Sequence, residues 1–159
     1  MADKLIIDWK EYNLIVEKLA IKIHESGFKP TMLIGIMRGG APIIDVLSRI
    51  FKLKCAYLAV ESYTGTGVED QQGELVFSRE MSSTVQNMGG RLLLCDDLSD
   101  TGITLNKSVD WLKKYPPIKD NIESIKTAVL WKKAASTFEP DFCAERLKDN
   151  PWIVQPFEN

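Results

Sequence analysis

The sequence predicts an α/β protein with a central, mostly parallel sheet flanked by helices. Short apolar runs that suit buried strands occur at residues 31–36, 53–61, 92–95 and 124–131. The first and third of these runs are each followed by a small polar or glycine-containing loop and then by a helical apolar pattern. Repeated units of strand, loop and helix are typical of parallel α/β sheets.

Length and composition indicate one globular domain. A chain of 159 residues can bury one good core and is too short for two ordinary domains. Its apolar runs are too short to cross a bilayer, and acids near the first apolar patch argue against a secretory signal. The widely spaced Cys55, Cys95 and Cys143 lack a metal-ligand pattern, so we expect reduced thiols in a cytoplasmic protein. A net charge of −2 gives no reason to expect a nucleic-acid partner.

The first helix is predicted to begin after Asp8 and to stop at Gly27. Asp8 and Glu11 have the spacing of a capping box. Apolar residues then repeat at helical spacing, so one face of this helix should lie on the sheet. The only histidine, His24, falls in this helix, and we interpret it as a surface or helix-end residue.

An arginine and two glycines follow the strand predicted at residues 31–36. The loop reads Met37-Arg38-Gly39-Gly40 and leads into a helix predicted from residue 41 to about residue 51. Paired glycines allow unusual dihedrals, and the arginine offers a planar cation beside exposed backbone amides. Taken alone, this loop is either an anion site or a plain tight turn.

A long polar stretch follows the strand predicted at residues 53–61. Residues 64–73 are rich in Gly, Thr, Asp and Gln and lack a hydrophobic face, so we expect a mobile loop. A long polar loop in a compact domain is usually either functional or disordered. Residues 75–77 are a candidate short strand.

The most informative stretch is RLLLCDDLSDTGIT at residues 91–104. Its apolar run predicts a buried strand that two carboxylates, Asp96 and Asp97, end abruptly, with a helix over residues 103–115 to follow. Adjacent carboxylates can accept hydrogen bonds from a vicinal diol or hold Mg²⁺ with most of its waters. The alternative is a solvated strand end.

The loop between this strand and this helix predicts an anion site. Its backbone N–H groups and the helix N-terminus bring unpaired donors together, and a phosphate fits there. Thr101 and Thr104 add hydroxyl donors, and Gly102 lets the backbone approach closely. The alternative is that Ser99 or Asp100 merely caps the helix.

The C-terminal third carries paired lysines and an aromatic tail. Lys132 and Lys133 directly follow the strand predicted at residues 124–131. Open α/β sheets bind ligands at the carboxyl ends of their strands. The alternative is a solvated strand terminus. Residues 138–159 follow no clean period and carry four aromatic residues and three prolines, as a hydrophobic lid over the sheet edge would.

Several of these motifs together resemble one enzyme family. The string CDDLSDTGITL, with the apolar run before it, closely resembles the phosphoribosyl pyrophosphate (PRPP) signature of the type I phosphoribosyltransferases. The Arg-Gly-Gly loop resembles their pyrophosphate loop, whose strained peptide bond would here join Met37 to Arg38. Ser62 and Tyr63 resemble the start of the lid in purine members, and Pro-Asp-Phe with the later WI and QPF strings resembles the xanthine-guanine hood.

The resemblance spans essentially the whole chain. It implies a type I phosphoribosyltransferase fold in a single domain at residues 1–159, with a flexible lid at about 62–75 and a small C-terminal hood at about 134–159. It also implies Mg²⁺-dependent purine salvage, in which PRPP and a 6-oxopurine (guanine, xanthine or hypoxanthine) give a nucleoside monophosphate and pyrophosphate. A homo-oligomer, dimer or tetramer, is expected, and no membrane partner.

The resemblance assigns roles to individual residues. Asp97 is the expected metal ligand ahead of Asp96, and Asp100 is the candidate general base. Ser62 and Tyr63 would belong to the lid. PRPP and its phosphates would be bound by Arg38, Gly39, Gly40, Asp96, Asp97, Asp100, Thr101, Gly102 and Thr104.

The purine is expected to contact Lys133, Trp152 and Ile153. Lys133 matches the relatives' lysine better than Lys132 does, both by the small residues after it and by its distance to Trp152. Neighbours along a strand point to opposite faces, so only one of the two lysines can enter the pocket. Val154 stands where the relatives carry an acid, which leaves metal binding and recognition of the purine C2 group open.

Two alternatives keep the phosphate loop and change the function. A uracil-specific or regulatory phosphoribosyltransferase-like protein would have another base pocket, and a regulator that binds RNA should show a basic face, which the composition does not indicate. A non-enzymatic α/β module would bind a phosphorylated ligand without turnover. The sequence also leaves open which 6-oxopurine is preferred.

Overall fold

The structure is a computed structural model that describes residues 3–62 and 74–158. Within these ranges the chain forms nine strands, three α-helices and a final 3-10 turn. In chain order they are β1 (Lys4–Ile6), α1 (Trp9–Glu25), β2 (Met32–Met37), α2 (Ala41–Phe51), β3 (Lys54–Ser62), β4 (Leu75–Phe77), β5 (Ser82–Ser83), β6 (Gly90–Ser99), α3 (Ile103–Lys114), β7 (Ile122–Lys132), β8 (Phe142–Arg146), β9 (Trp152–Val154) and the turn Pro156–Glu158.

The main sheet has the strand order β4-β3-β2-β6-β7-β8, with β5 also paired to β3. The pairs formed among β2, β3, β6, β7 and β8 are all parallel. Only the short β4 and β5 run antiparallel to β3 among the described strands of this sheet. The predicted mostly parallel α/β sheet is therefore confirmed. No helix in the described ranges is long and apolar enough to cross a membrane.

Both faces of the sheet are covered by helices. Leu33 and Leu93 on neighbouring strands pack on the side of α1 and α2, whereas Ile34 and Leu94 pack on the side of α3. All four side chains are fully buried. Successive strand residues point to opposite faces, so an unbroken apolar run is what a sheet covered on both sides requires.

The start of α1 follows the predicted capping box. The Glu11 N–H donates to the Asp8 carboxylate at 2.8 Å, and the Asp8 N–H donates to the Glu11 carboxylate at 3.1 Å. These two bonds satisfy backbone donors that a helix N-terminus otherwise leaves free. The helix ends at Glu25, just before Gly27 takes a positive φ of 78°.

The strand that carries the acidic pair is longer than predicted. We expected it to end at Asp96 and Asp97, but β6 runs on to Ser99. The reason is backbone pairing with β7, which continues past the carboxylates as far as the pair of Ser99 with Lys132. Ladder hydrogen bonds do not depend on side-chain charge, so two acids near the end of a strand do not terminate it.

The C-terminal segment contains two strands that its sequence pattern did not predict. The first, β8, extends the main sheet beside β7. The second, β9, pairs in parallel with β1 at the other end of the chain, in a separate two-stranded sheet. Three-residue strands are too short to show a period in the sequence, and their pairing depends on a partner about 150 residues away.

Candidate active site

The residues predicted to bind PRPP and its phosphates, together with Lys133, lie at or near the ends of three neighbouring parallel strands. β2 ends at Met37, β6 at Ser99 and β7 at Lys132, and these strands are adjacent in the order β2-β6-β7. Their carboxyl ends therefore meet at one edge of the sheet. We call the two loops there the Arg38 loop (residues 37–40) and the Thr101 loop (residues 99–104).

The Arg38 loop lies very close to β6. Its Met37–Arg38 peptide bond is cis, at the position where the resemblance predicts an unusual bond. A Cβ atom at Gly39 would overlap the Asp97 carboxylate, and one at Gly40 would overlap main-chain oxygens of the neighbouring strands. Both glycines are therefore required for this close approach of the loop to β6. The Arg38 side chain is exposed.

The two adjacent carboxylates have different surroundings. Asp96 is only 8% exposed, and its Oδ1 accepts the Asp97 N–H at 2.9 Å. Burial, and next the charge of Asp97, raise the pKa of the Asp96 carboxyl well above its usual range. Asp97 is half-buried and lines an open cavity. Only Asp97 is therefore placed to meet a ligand or ion directly.

The cavity in front of Asp97 has a volume of about 640 Å³. It joins the Arg38 loop to the end of the chain, and its lining consists of Arg38, Gly39, Pro42, Asp97, Gln155, Phe157 and Glu158. In the described ranges no three Asp, Glu, His or Cys side chains cluster as a metal site. Mg²⁺ commonly takes one or two carboxylates and fills its other positions with water and substrate phosphate oxygens, so Asp97 fits such an ion.

Sequence reasoning missed two polar residues beside Asp97. The Gln155 side-chain amide donates from Nε2 to Asp97 Oδ2 at 2.5 Å. The Tyr12 hydroxyl on α1 is buried, and its pKa is raised to about 12, first by burial and then by the Asp97 charge. In the sequence, Tyr12 has the spacing of an ordinary core residue of α1. Gln155 occurs there only within the string that resembles the hood. Neither pattern indicates that these residues lie near a carboxylate far along the chain.

The Thr101 loop encloses a small cavity of about 60 Å³ at the start of α3. Ser99, Asp100, Thr101, Gly102 and Thr104 contribute to its lining. The helix begins after Gly102, which provides no side-chain cap, so the interpretation of Ser99 or Asp100 as a helix cap is wrong. The Ser99 hydroxyl instead pairs with that of Ser136 at 2.7 Å. The N-terminal end of α3, where a helix leaves backbone N–H groups without helical partners, borders this small space, and such a space suits an anion.

Gly102 has a structural role beside the expected one. Its φ is +92°, and a Cβ atom there would overlap the Phe138 backbone. We therefore expect Gly102→Ala to lower the free energy of unfolding by at least about 1–2 kcal/mol, because a left-handed φ strains any L-residue with a Cβ. Urea denaturation measures this loss, with Ala134→Gly as an exposed control. Equal stability of Gly102→Ala and the parent would contradict the description of this turn.

The side chains of Lys132 and Lys133 have different partners. Lys133 is 6% exposed, and its Nζ lies 3.4 Å from Asp100 Oδ1, a carboxylate whose side chain is 60% exposed. The Lys132 ammonium instead donates to the Ser136 carbonyl at 3.2 Å. Lys133 therefore brings a buried positive charge to the Thr101 loop, whereas Lys132 holds the segment that follows β7.

The remaining predicted residues lie farther from this arrangement. Trp152 is 60% exposed on β9 and lines neither of the two cavities above, while Ile153 is buried in the core beneath it. Val154 is half-buried at the end of β9. Ser62 is the exposed last residue of β3, and Tyr63 and the lid through residue 73 lie outside the described residues.

The buried Asp96 carboxyl predicts a pH dependence of stability. Because its pKa is raised in the folded protein, its contribution to stability is complete below the unfolded value of about 3.9 and is lost as the pH rises through the folded value. Asp96→Asn cannot ionise, so we expect its free energy of unfolding to fall less than the parent's as the pH rises from about 4. Urea denaturation at several pH values, without ligands, measures both slopes. If the free energy of unfolding changes with pH equally in the parent and in Asp96→Asn, the Asp96 carboxyl is not buried as described.

Comparison with known proteins agrees with this geometry. The family described as "Phosphoribosyl transferase domain" matches residues 6–159. The purine phosphoribosyltransferase of Pyrococcus horikoshii Ot3 is similar with a TM-score of 0.78 and 28% identity, over 99% of this chain and 95% of that one. The xanthine-guanine-hypoxanthine phosphoribosyltransferase of Helicobacter pylori is similar with a TM-score of 0.73 and 20% identity, over 98% of this chain and 94% of that one. A hypothetical protein of Neisseria gonorrhoeae with bound ppGpp is similar with a TM-score of 0.74 and 20% identity, over 100% of this chain and 91% of that one.

No curated protein sequence matches the chain significantly. The family match nevertheless covers nearly the whole chain, and it includes every strand of the main sheet and both loops of the site. The fold, the two loops and the family match therefore agree, and the chain belongs to the phosphoribosyltransferase family of enzymes.

Proposed function

We propose that this enzyme transfers the 5-phosphoribosyl group from PRPP to N9 of a 6-oxopurine, with Mg²⁺, and releases pyrophosphate. The observation that carries this proposal is the position of Lys133, a buried ammonium at 3.4 Å from Asp100 on the Thr101 loop. An ammonium only donates hydrogen bonds, so it suits the exocyclic oxygen of a 6-oxopurine and not the amino group of adenine.

The PRPP would lie across the two cavities. Its 5-phosphate would take the Thr101 loop, where Thr101, Thr104 and backbone N–H groups supply donors. Its pyrophosphate would lie in the larger cavity against Arg38 and the amides of the Arg38 loop. The ribose diol would then meet Asp97, while the buried Asp96 holds the Asp97 backbone in position.

Asp97 is the residue that would hold Mg²⁺. When bound, the ion would neutralise charge on the pyrophosphate. The Asp97 carboxylate is half-buried at the cavity wall, and Arg38 lines the same cavity. The cavity therefore offers a carboxylate for the metal ion and a guanidinium for the pyrophosphate. Substrate oxygens and water would complete the coordination.

The reaction breaks the bond from ribose C1 to the pyrophosphate oxygen and forms the bond from C1 to N9. Positive charge develops on the ribose, and negative charge develops on the leaving group. Arg38 would stabilise the leaving group, and Asp97, on the wall of the same cavity, would face the ribose. The N9 proton passes to Asp100, whose side chain is 60% exposed and so open to the bound base. Lys133 would hold O6 and thereby orient N9.

The similar proteins support a purine substrate. The Pyrococcus horikoshii protein, which is 28% identical, is named a purine phosphoribosyltransferase. We also propose one catalytic domain in which residues of about 134–159 form a hood over the base. Its purine contacts would be the Trp152 ring and the main chain of Ile153, because the Ile153 side chain is buried in the core. The aromatic ring of Trp152 is exposed, so it is free to stack on a base.

A panel of bases with PRPP and Mg²⁺ tests the proposal. Guanine, xanthine and hypoxanthine should each be compared with adenine, uracil and orotate, with nucleotide and pyrophosphate measured together. We expect at least one 6-oxopurine to exceed adenine and both pyrimidines by about a hundredfold or more in kcat/KM. A preference for uracil or orotate would contradict the proposal. So would PRPP binding without nucleotide formation from any of these bases.

A further inference from the structure

We infer that Gln155 is a positioning residue whose side-chain amide holds the Asp97 carboxylate in place. It thereby links the C-terminal segment to the end of the cleft where Mg²⁺ and the PRPP pyrophosphate would bind. This inference rests on the proposed function, because it assigns a role in PRPP binding. It gives Gln155 a role that the resemblance of the QPF string to the hood does not assign.

The contact between the two side chains is short and buried. Gln155 Nε2 donates to Asp97 Oδ2 at 2.5 Å, and the whole Gln155 residue is only 5% exposed. A hydrogen bond from an amide to a carboxylate is generally stronger than one between two neutral groups. The opposite orientation of the amide would place its oxygen against the carboxylate and repel it, so the contact fixes which end faces Asp97.

The backbone of Gln155 is itself held from two sides. Its N–H donates to Glu158 Oε2 at 2.8 Å, and its carbonyl accepts the Glu158 N–H at 3.0 Å. The preceding residue, Val154, accepts the Ile7 N–H at 2.9 Å, which ties the end of β9 to the start of the chain. The amide therefore projects from a fixed frame and can orient a partner.

Asp97 is confined on its other side as well. The Arg38 loop packs so closely on its carboxylate that Gly39 has no room for a Cβ atom. The carboxylate thus lies between a glycine backbone and the Gln155 amide, and it borders the 640 Å³ cavity. Removing the amide would free Asp97 to take other rotamers on the side where the C-terminal segment now holds it.

Folding alone gives no reason for an amide at this position. Gln155 Oε1 is buried and has no hydrogen-bond partner among the described residues. A buried polar atom without a partner costs stability, so an apolar side chain of the same length would serve packing better. The one side-chain hydrogen bond that Gln155 makes in the described ranges is the bond to Asp97.

Gln155→Met tests the inference, because methionine keeps the length and removes the donor. We expect the affinity for PRPP in the presence of Mg²⁺, measured by calorimetry, to fall about tenfold or more, as for other residues that orient a metal ligand. KM for PRPP should rise in parallel, while KM for guanine changes less than about twofold because Lys133 is untouched. Gln86→Met, at an exposed loop position, makes the same chemical change away from the cleft and should behave like the parent.

A double-mutant cycle tests the contact without any substrate. The melting temperatures of Gln155→Met, Asp97→Ala and the double variant are compared with that of the parent. If the two side chains bond, the double variant should lose less than the sum of the two single losses. Gln155→Asn, whose amide is one methylene too short to reach Asp97, replaces Gln155→Met if the latter does not fold, and the same results are expected.

The outcomes separate this inference from the proposed function. A parent that binds PRPP and forms nucleotide, with an unchanged PRPP affinity in Gln155→Met, overturns the role of Gln155 and leaves the function standing. Strictly additive melting shifts overturn the role in the same way. A parent that does not bind PRPP with Mg²⁺ overturns the proposed function and this inference with it.

Discussion

Asp97→Asn is expected to lower kcat/KM for PRPP by at least about a hundredfold, which corresponds to about 2.7 kcal/mol of transition-state stabilisation. Asparagine has the size of aspartate and keeps an oxygen that can accept from Gln155 Nε2, so the substitution should leave the fold intact. The loss follows from chemistry, because a neutral amide binds Mg²⁺ and the ribose diol more weakly than a carboxylate. Steady-state kinetics at varied PRPP and Mg²⁺ measure the effect, and excess chelator should reproduce it in the parent.

The matched control is Asp110→Asn, which makes the same change at an exposed position on α3. Its kinetics should equal those of the parent. Thermal unfolding of Asp97→Asn should stay within a few degrees of the parent, which separates a chemical loss from misfolding. Unchanged turnover of Asp97→Asn, or full activity of the parent in excess chelator, would remove Asp97 from the assigned role.

Lys133→Ala is expected to weaken guanine binding by about 1.5–3 kcal/mol, because it removes a charge-assisted hydrogen bond to the purine O6. PRPP binding should be nearly unchanged, since the Thr101 loop and Arg38 remain. The buried position of Lys133, with its ammonium at 3.4 Å from Asp100, makes this lysine the better candidate of the pair. Apparent guanine affinity at saturating PRPP measures the difference.

Lys132→Ala is the matched control, one residue away and with the same chemical change. Lys132 bonds the Ser136 carbonyl, so its loss should affect the stability of that segment more than guanine affinity. If Lys132→Ala carries the loss of affinity and Lys133→Ala behaves like the parent, the assignment of the pocket is wrong by one residue.

Local patterns predicted the elements whose signals are local. The capping box at Asp8, the 11-residue span of α2 and the strands before the two loops follow from periodicity, caps and short apolar runs. They depend on neighbours within a few turns of the chain. Each of the two loops accordingly follows a strand and precedes a helix that the sequence predicted.

Features that depend on distant partners were not predictable in this way. β6 passes through Asp96 and Asp97 because β7 pairs with it, and β9 exists because β1 lies beside it. Gln155 meets Asp97 across a separation of 58 residues. Residue type alone did not reveal that Asp96 is buried and Asp97 accessible, because burial depends on what packs against each face of the strand.

A crystal structure of the enzyme with guanosine monophosphate tests the central claim most directly, because the product spans the phosphate and base sites. We expect the 5-phosphate in the Thr101 loop, within hydrogen-bond distance of Thr101 and Thr104. We also expect the purine O6 at about 3 Å from Lys133 Nζ. A phosphate bound elsewhere, or a base whose O6 faces Lys132 or no lysine, would contradict the central claim.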